Sequence, residues 1–194
     1  MTTNYKIRLT DVIRKKQIKL YKKLQTKYLI TTRFSNETWS ENIYYRSKID
    51  VSCIYCSPCP ISSLVPDNSI LFVLEMNNDI NRLMGVGMVR NSPRYNANRV
   101  YNNGSYNRYS YIGSERIDRK DMEAEENTVF AALEYLCFKG NKHMKRGYGL
   151  TGFPMETLLE CSNNINLVDF ISKMFKQRLL EKNTKSVLQN NYSK

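Results

Sequence analysis

The sequence is short of several things that a secreted, membrane-bound or metal-dependent protein uses. It has one histidine, His143, and one tryptophan, Trp39. No apolar run approaches the ~20 residues of a membrane span; the longest, Ile70 to Leu74, is strand-sized. Met1 to Leu20 carries charges throughout and has no apolar h-region, so the expectation is a soluble protein kept in the cytosol, nucleus or an equivalent compartment. Five cysteines are an odd number, which argues for free thiols in such a compartment. Acidic residues are scarce: 18 Asp and Glu face 30 Lys and Arg, a net charge of +12 on 194 residues. That excess says little about the fold and much about partners, which should be polyanionic.

The cationic charge is concentrated. Between Arg90 and Arg119 the chain interleaves Arg90, Arg94, Arg99, Arg108, Arg116 and Arg119 with Tyr95, Tyr101, Tyr106, Tyr109 and Tyr111. Only Glu115 and Asp118 oppose them. Guanidinium groups clamp phosphates and stack on rings, and Tyr and Asn add contacts to sugars and base edges. A second basic stretch, Lys139 to Gly149 (KGNKHMKRGYG), supplies Lys139, Lys142, His143, Lys145 and Arg146 in a Gly-rich loop. It lacks the GxxxxGK[ST] pattern of a nucleotide-binding P-loop and fits a patch for a nucleic-acid backbone. A third is an amphipathic helix expected over Thr10 to Leu29, capped by Thr10 or Asp11. Its stripe is Ile13, Leu20, Leu24 and Tyr28, and Lys15, Lys19 and Lys22 stand among its cations.

The rest of the pattern predicts an α+β domain over residues 1–182, followed by a frayed polar tail over 183–194. The expected architecture is a small twisted antiparallel sheet or partial barrel flanked by helices. Thr31 to Ser47 is polar and expected to be irregular, anchored by Trp39 and Tyr44–Tyr45. Ile49, Val51, Cys53 and Tyr55 alternate, so Lys48 to Cys56 reads as a strand, ended by Pro58 and Pro60. Ser69–Met76 and Arg82–Arg90 read as a hairpin around Asn77-Asn78-Asp79. Gly85 and Gly87 inside the second strand signal a bulge or a close backbone approach. A second hairpin is expected over Arg99–Asn102 and Tyr106–Ile112, with Asn102-Asn103-Gly104 as its turn. Helices are expected from Asp121 to about Phe138, with Val129, Phe130, Leu133, Leu136 and Cys137 inward, and from Leu167 to Leu180.

Three constellations suggest chemistry and are better read as structure. Cys53-x2-Cys56-x2-Cys59 has zinc-like spacing, but Cys137, His143 and Cys161 do not form a second tight ligand pair. A nucleophile pair would have to use His143, which stands among cations that disfavour the imidazolium. Asp118, Asp121, Glu123, Glu125 and Glu126 could hold Mg²⁺ in a nuclease, yet they stand where a helix begins and suit its N-terminus. The expectation is a non-enzymatic protein without metal or cofactor.

The segments IYCSPCPISSLVPDNSILFVLEMNNDINRLMGVGMVRN, YNRYSYIGSERIDRKDM and LEYLCFKGNKHMKRGYGLTGFP, in that order across Lys48 to Pro154, resemble a largely uncharacterised protein family of large nucleocytoplasmic DNA viruses. The resemblance implies a role in binding double-stranded DNA. It also implies a place in the virion, the viral factory of the host cytoplasm or the host nucleus, where host nuclear proteins are further partners. The Val65–Arg90 hairpin is also similar to PUA-like folds (the ASCH, EVE and YTH group), which bind nucleic acids or modified bases. The functional expectation is therefore a protein of double-stranded DNA, with AT-rich preference if Arg94, Arg99 or Arg108 enters a narrow minor groove. A PUA-like reader of RNA or modified bases and a Mg²⁺-dependent nuclease are the alternatives. A symmetric homodimer would double the cationic surface.

Overall fold

The structure, a computed structural model, describes residues 2–192, and side chains from 11 to 184. The chain is an α+β fold built on two open sheets. Helix α1 (Thr2–Leu24) leads into β1 (Lys27–Phe34), α2 (Asn36–Ile49), β2 (Cys53–Ser57), β3 (Ile70–Asn77), β4 (Arg82–Arg90) and β5 (Arg94–Tyr95). Then follow β6 (Tyr109–Gly113), β7 (Glu115–Asp118), α3 (Ala124–Phe138), β8 (Thr151–Gly152), α4 (Met155–Cys161) and α5 (Leu167–Tyr192). The larger sheet has the order β7-β4-β3-β1-β8 and the smaller β2-β6-β5. The larger sheet is mixed rather than purely antiparallel, because β1 runs parallel to β3 from Lys27↔Ile70 to Phe34↔Asn77.

Strand β3 shows why the core divides in two. Its side chains alternate, so Phe72, Leu74 and Met76 join one cluster and Leu71 and Val73 the other. The first cluster is closed by Phe130, Leu133 and Cys137 of α3 and by Ile171, Met174 and Phe175 of α5, with Phe72 and Phe175 stacked at 5.4 Å. The second is closed by the smaller sheet, through Cys53, Tyr55 and Tyr111, and by Trp39 and Tyr45 of α2.

The β3–β4 hairpin forms as its pattern predicts, with Ile70 opposite Arg90 and Asn77 opposite Arg82. A bulge on β4 sets Met84 and Gly85 opposite Glu75 alone, while Glu75 keeps its regular place opposite Thr32 of β1. Glu75 is fully buried and receives Nε and Nη2 of Arg116 at 2.7–3.0 Å, while the Tyr55 hydroxyl donates to its Oε1 at 2.7 Å. Burial pushes the Tyr55 phenol well above its usual value, with Glu75 adding to the effect, so it stays a neutral donor. The glycine signal in β4 is both: Gly85 sits in the bulge, and a Cβ on Gly87 would lie 1.9 Å from the Tyr55 hydroxyl.

Several boundaries differ from the sequence expectation. The first helix ends at Leu24, and Tyr28 and Leu29 belong to β1. The helical stripe ran into a β-branched stretch, Ile30-Thr31-Thr32, that pairs with β3, and tertiary pairing overrides local pattern. Thr31 to Ser47 is not irregular. Ser35 accepts from the Thr38 amide at 3.1 Å, Thr38 Oγ1 accepts from the Ser35 amide at 2.9 Å, and this reciprocal cap starts α2. The Ser-x-x-Thr form of the box hides it from a Ser-x-x-Glu search. Ile49 ends that helix and Asp50 turns the chain out at φ 52°, so the second strand begins only at Cys53. The last helix continues past Leu180 to Tyr192, through the segment expected as a frayed tail.

Two outcomes follow. Arg116→Ala leaves Glu75 buried and unpaired and should cost about 3–5 kcal/mol of unfolding free energy in urea titrations. Asp118 is partly buried, which opposes its charge, but hydrogen bonds from Arg116 and the Lys120 amide outweigh this and hold its carboxyl below the usual range. Its contribution is present above an unfolded value of about 3.9 and is lost as pH falls through the lower folded value. Urea midpoints should therefore fall on acidification, and fall less in Asp118→Asn than in the parent.

Candidate functional site

At the C-terminal end of β1 a cavity of about 360 Å³ opens beside the first turn of α2. Thr32, Arg33 and Phe34 line it from β1, Ser35 and Thr38 from the α2 cap, Cys56 from β2, and Asn78 and Asp79 from the β3–β4 turn. The remaining wall comes from the two basic segments picked out in the sequence: Tyr101, Asn103 and Tyr106 from one, Gly147 and Gly149 from the other. More than forty positions apart in the chain, they meet here.

The Gly-rich loop is pinned into place. Arg33 donates from Nε to the Met144 carbonyl at 2.6 Å and from Nη1 to Thr151 Oγ1 at 2.8 Å. Burial lowers the Arg33 pKa below its ordinary value, as expected for a guanidinium held by neutral acceptors. Asn78 Nδ2 donates to the Lys145 carbonyl at 3.1 Å, while its buried Oδ1 accepts from none of the described residues. Met144 is buried and anchors the loop by donating its amide to the Cys137 carbonyl at 2.7 Å. Gly149 takes φ +66° and lies so close to β2 that a Cβ there would stand 2.2 Å from Ser57 Oγ. Lys139, Lys142 and Arg146 point into solvent, Lys145 is half-buried, and His143 Nδ1 accepts the Lys145 amide at 3.3 Å.

The Arg/Tyr segment is ordered but does not form the expected second hairpin. Its ends pair, Arg94↔Ser110 and Tyr95↔Tyr109, and between them the chain folds down on Asn107. Asn107 Oδ1 accepts the amides of Val100 and Tyr101 at 2.9 Å, and its Nδ2 donates to the Tyr101 carbonyl at 2.6 Å. A 3-10 turn over Gly104–Asn107 replaces the Asn-Gly hairpin turn, with Asn103 accepting from the Ser105 amide. Side-chain capture of backbone amides competes with ladder formation and wins here.

This fold sorts the expected contact residues. Arg90, Arg94, Arg99 and Arg108 are exposed. Arg90 reaches only a backbone carbonyl, that of Asn68 at 3.0 Å, and Arg94, Arg99 and Arg108 join no ion pair among the described residues. Tyr95 is exposed and its ring lies 5.3 Å from that of Tyr109. Tyr106 is half-buried at the cavity. Tyr101 is 8% exposed and its hydroxyl accepts from Asn42, so it forms wall rather than surface. A neighbouring cavity of about 420 Å³, lined by Asn96, Arg99 and Asn102 among others, shares Tyr101. Arg116 is the clear departure: with Glu75 and Asp118 as partners it is a structural cation, not a phosphate ligand. Lys15, Lys19 and Lys22 lie on α1, which ends two residues before β1 begins, and so belong to the strand end remote from the cavity.

The sequence constellations for chemistry disperse. Burial pushes the thiols of Cys53, Cys56 and Cys137 up to about 12, while Cys59 is exposed. Glu126 pairs with Arg178, and Asp118 with Arg116. No group of three His, Cys, Asp or Glu among the described residues is arranged to hold a metal ion. None of the described helices is long and apolar enough to cross a membrane. The residues that sequence reasoning missed are Thr32, Phe34, Ser35 and Thr38, because their segment was read as irregular; the Ser35–Thr38 cap was the available signal. No family model matches the chain, and no curated protein matches its sequence.

Gly149→Ala should shift the loop off β2 and cost about 1–3 kcal/mol, the range for strained backbone. Hydrogen exchange should speed up over residues 144–150 while the amides of β3 keep their protection.

Proposed function

We propose that the protein is a non-enzymatic nucleic-acid-binding module that takes one unstacked nucleobase into the cavity at the end of β1. The observation that carries this reading is the meeting of the Arg/Tyr segment and the basic Gly-rich loop around one cavity of ligand size. Pockets for small ligands combine apolar walls with a few convergent polar groups. Here Phe34, Tyr101 and Tyr106 offer ring surface, and Thr32, Ser35, Thr38 and Asn78 offer hydrogen bonds to a base edge. The unpartnered Asn78 Oδ1 suits the exocyclic amine of a base. Arg94, Arg99 and Arg108 on one side, and Lys139, Lys142 and Arg146 on the other, would hold phosphates of the same strand.

The substrate class is single-stranded or locally unpaired nucleic acid, in keeping with the PUA-like likeness in the sequence. Recognition of a base edge requires it to leave the stack. Duplex DNA gripped by an Arg-bearing ribbon is the rival reading, and it draws on the same free arginines. It is less favoured because the segment between Arg99 and Arg108 folds back on Asn107 and is tied to α2 through Tyr101 and Asn42 instead of projecting.

Salt-titrated binding to single-stranded RNA, single-stranded DNA, AT-rich duplex and GC-rich duplex separates the two. The pocket reading expects single strands to bind best, with a slope of about −0.7 per phosphate contact. Tyr106→Ala should weaken binding by about 1–3 kcal/mol, the worth of one stacked base, and leave the salt slope unchanged. Tighter binding to AT-rich duplex that is indifferent to Tyr106→Ala would overturn it in favour of the groove reading.

A further inference from the structure

Helix α1 carries an apolar stripe that none of the described residues covers. Ile13, Leu20 and Leu24 are 48%, 59% and 72% exposed, although a helix of a globular domain normally buries such a stripe. Together with Tyr21 and with Leu159 of α4 they line a groove of about 600 Å³. Tyr21 packs on the core and Arg14 pairs with Glu160 and Glu156 of α4, so the α1–α4 wall is fixed from beneath. From Ile13 to Leu24 the stripe runs about 16 Å, three helical turns at ~1.5 Å per residue. Along one flank of it stand Lys16, Lys23 and, further round the helix, Lys19, with Lys15 and Lys22 on the far side, all exposed. None of them has an acidic partner among the described residues, and Asp11 is the one described acid of the helix.

We infer that this groove docks an acidic amphipathic helix from a partner protein. The occupant would place Leu, Ile or Phe at i, i+3, i+4 and i+7 against Ile13, Leu20 and Leu24 and present Glu or Asp to the flanking lysines. Charge selects this occupant. A second copy of α1 would set one lysine rim against another. A nucleic-acid backbone would satisfy the lysines and leave three large apolar side chains in water. An anionic bilayer, charged across its whole face, would meet Glu156 and Glu160 on the α4 side of the groove, whereas a helix can turn its acids to the lysine flank alone. The inference is independent of the nucleic-acid reading, because α1 adjoins the end of β1 opposite the cavity.

The test uses the full chain and a fluorescent 18-residue peptide with Leu at i, i+3, i+4, i+7, Glu on the flank that would meet the lysines and neutral residues elsewhere. Controls are the same peptide with Leu replaced by Ser, the peptide with Glu replaced by Lys, phosphatidylserine vesicles and single-stranded DNA. Anisotropy should show saturable binding of the acidic Leu peptide alone. The double substitution Leu20→Ser/Leu24→Ser, and separately Lys19→Glu/Lys23→Glu, should each weaken it by about tenfold or more, ~1.4 kcal/mol. Tyr106→Ala should leave it unchanged. These exposed positions are not needed for folding, which circular dichroism checks. The inference is overturned by the absence of saturable peptide binding, or by peptide binding that survives Leu20→Ser/Leu24→Ser. Vesicle or DNA binding that these two leucines control, or a dimer that they abolish, would overturn it equally.

Discussion

The buried carboxylate of Glu75 is the constraint on which the rest of the molecule turns. It enters the core because it shares the inward face of β3 with Leu71 and Val73, and it cannot remain there alone. Arg116 from β7 and Tyr55 from β2 satisfy it, so one side chain ties the larger sheet to the smaller. Burial by itself would weaken the charge on Arg116; the attraction of Glu75 more than offsets this and raises its pKa above the ordinary value. The same guanidinium lies 5.5 Å from the ring of Trp39, which meets Phe34 edge-on at 5.0 Å. Helix α2 is thereby set against the end of β1, and the cavity opens where those two elements part. Such a pair adds little net stability over an apolar substitute, but removing either half is costly. Its effect is to fix one arrangement of the sheets.

The candidate site follows the usual division between scaffold and loops. Strand β1 is largely buried, paired with β3 along its whole length and with β8 at Ile30 and Thr31, and its last residues form the rim. Two irregular basic segments are then held beside that rim, one fastened through Arg33 and Asn78, the other folded on itself by Asn107 and tied to α2 where Asn42 donates to the Tyr101 hydroxyl. Binding residues on loops held by a rigid frame keep chemical freedom without losing position. The cations that remain exposed on these segments are those the scaffold does not use, whereas Arg116 and Arg33 are consumed by it.

Charge is distributed in two separate regions. The loops around the cavity carry arginines and lysines beside tyrosine rings and asparagines. Helix α1 carries lysines beside an aliphatic stripe. Rings and amides suit bases and sugars, while Leu and Ile suit another apolar helix. The basic character that the sequence announces as one property thus serves two surfaces with different neighbours.

Much of this was legible in the residues. The β3–β4 hairpin, the close approach at Gly87, the inward faces of α3 and the basic character of both loops follow from local patterns, because side-chain period and turn chemistry are encoded within a few residues. The start of β1, the cap of α2, the fold of residues 96–107 and the burial of Arg116 were not legible. Each is settled by a partner far away: Lys27–Phe34 is a strand because Ile70–Asn77 accepts it, and Arg116 is buried because Glu75 awaits it across the sheet. By itself the sequence determined which segments are apolar, which are cationic and where the chain turns. Only the tertiary structure decided which cations remain free and which two loops share a cavity. Long-range pairing and desolvation act on residues that are distant in the chain and have no local signature.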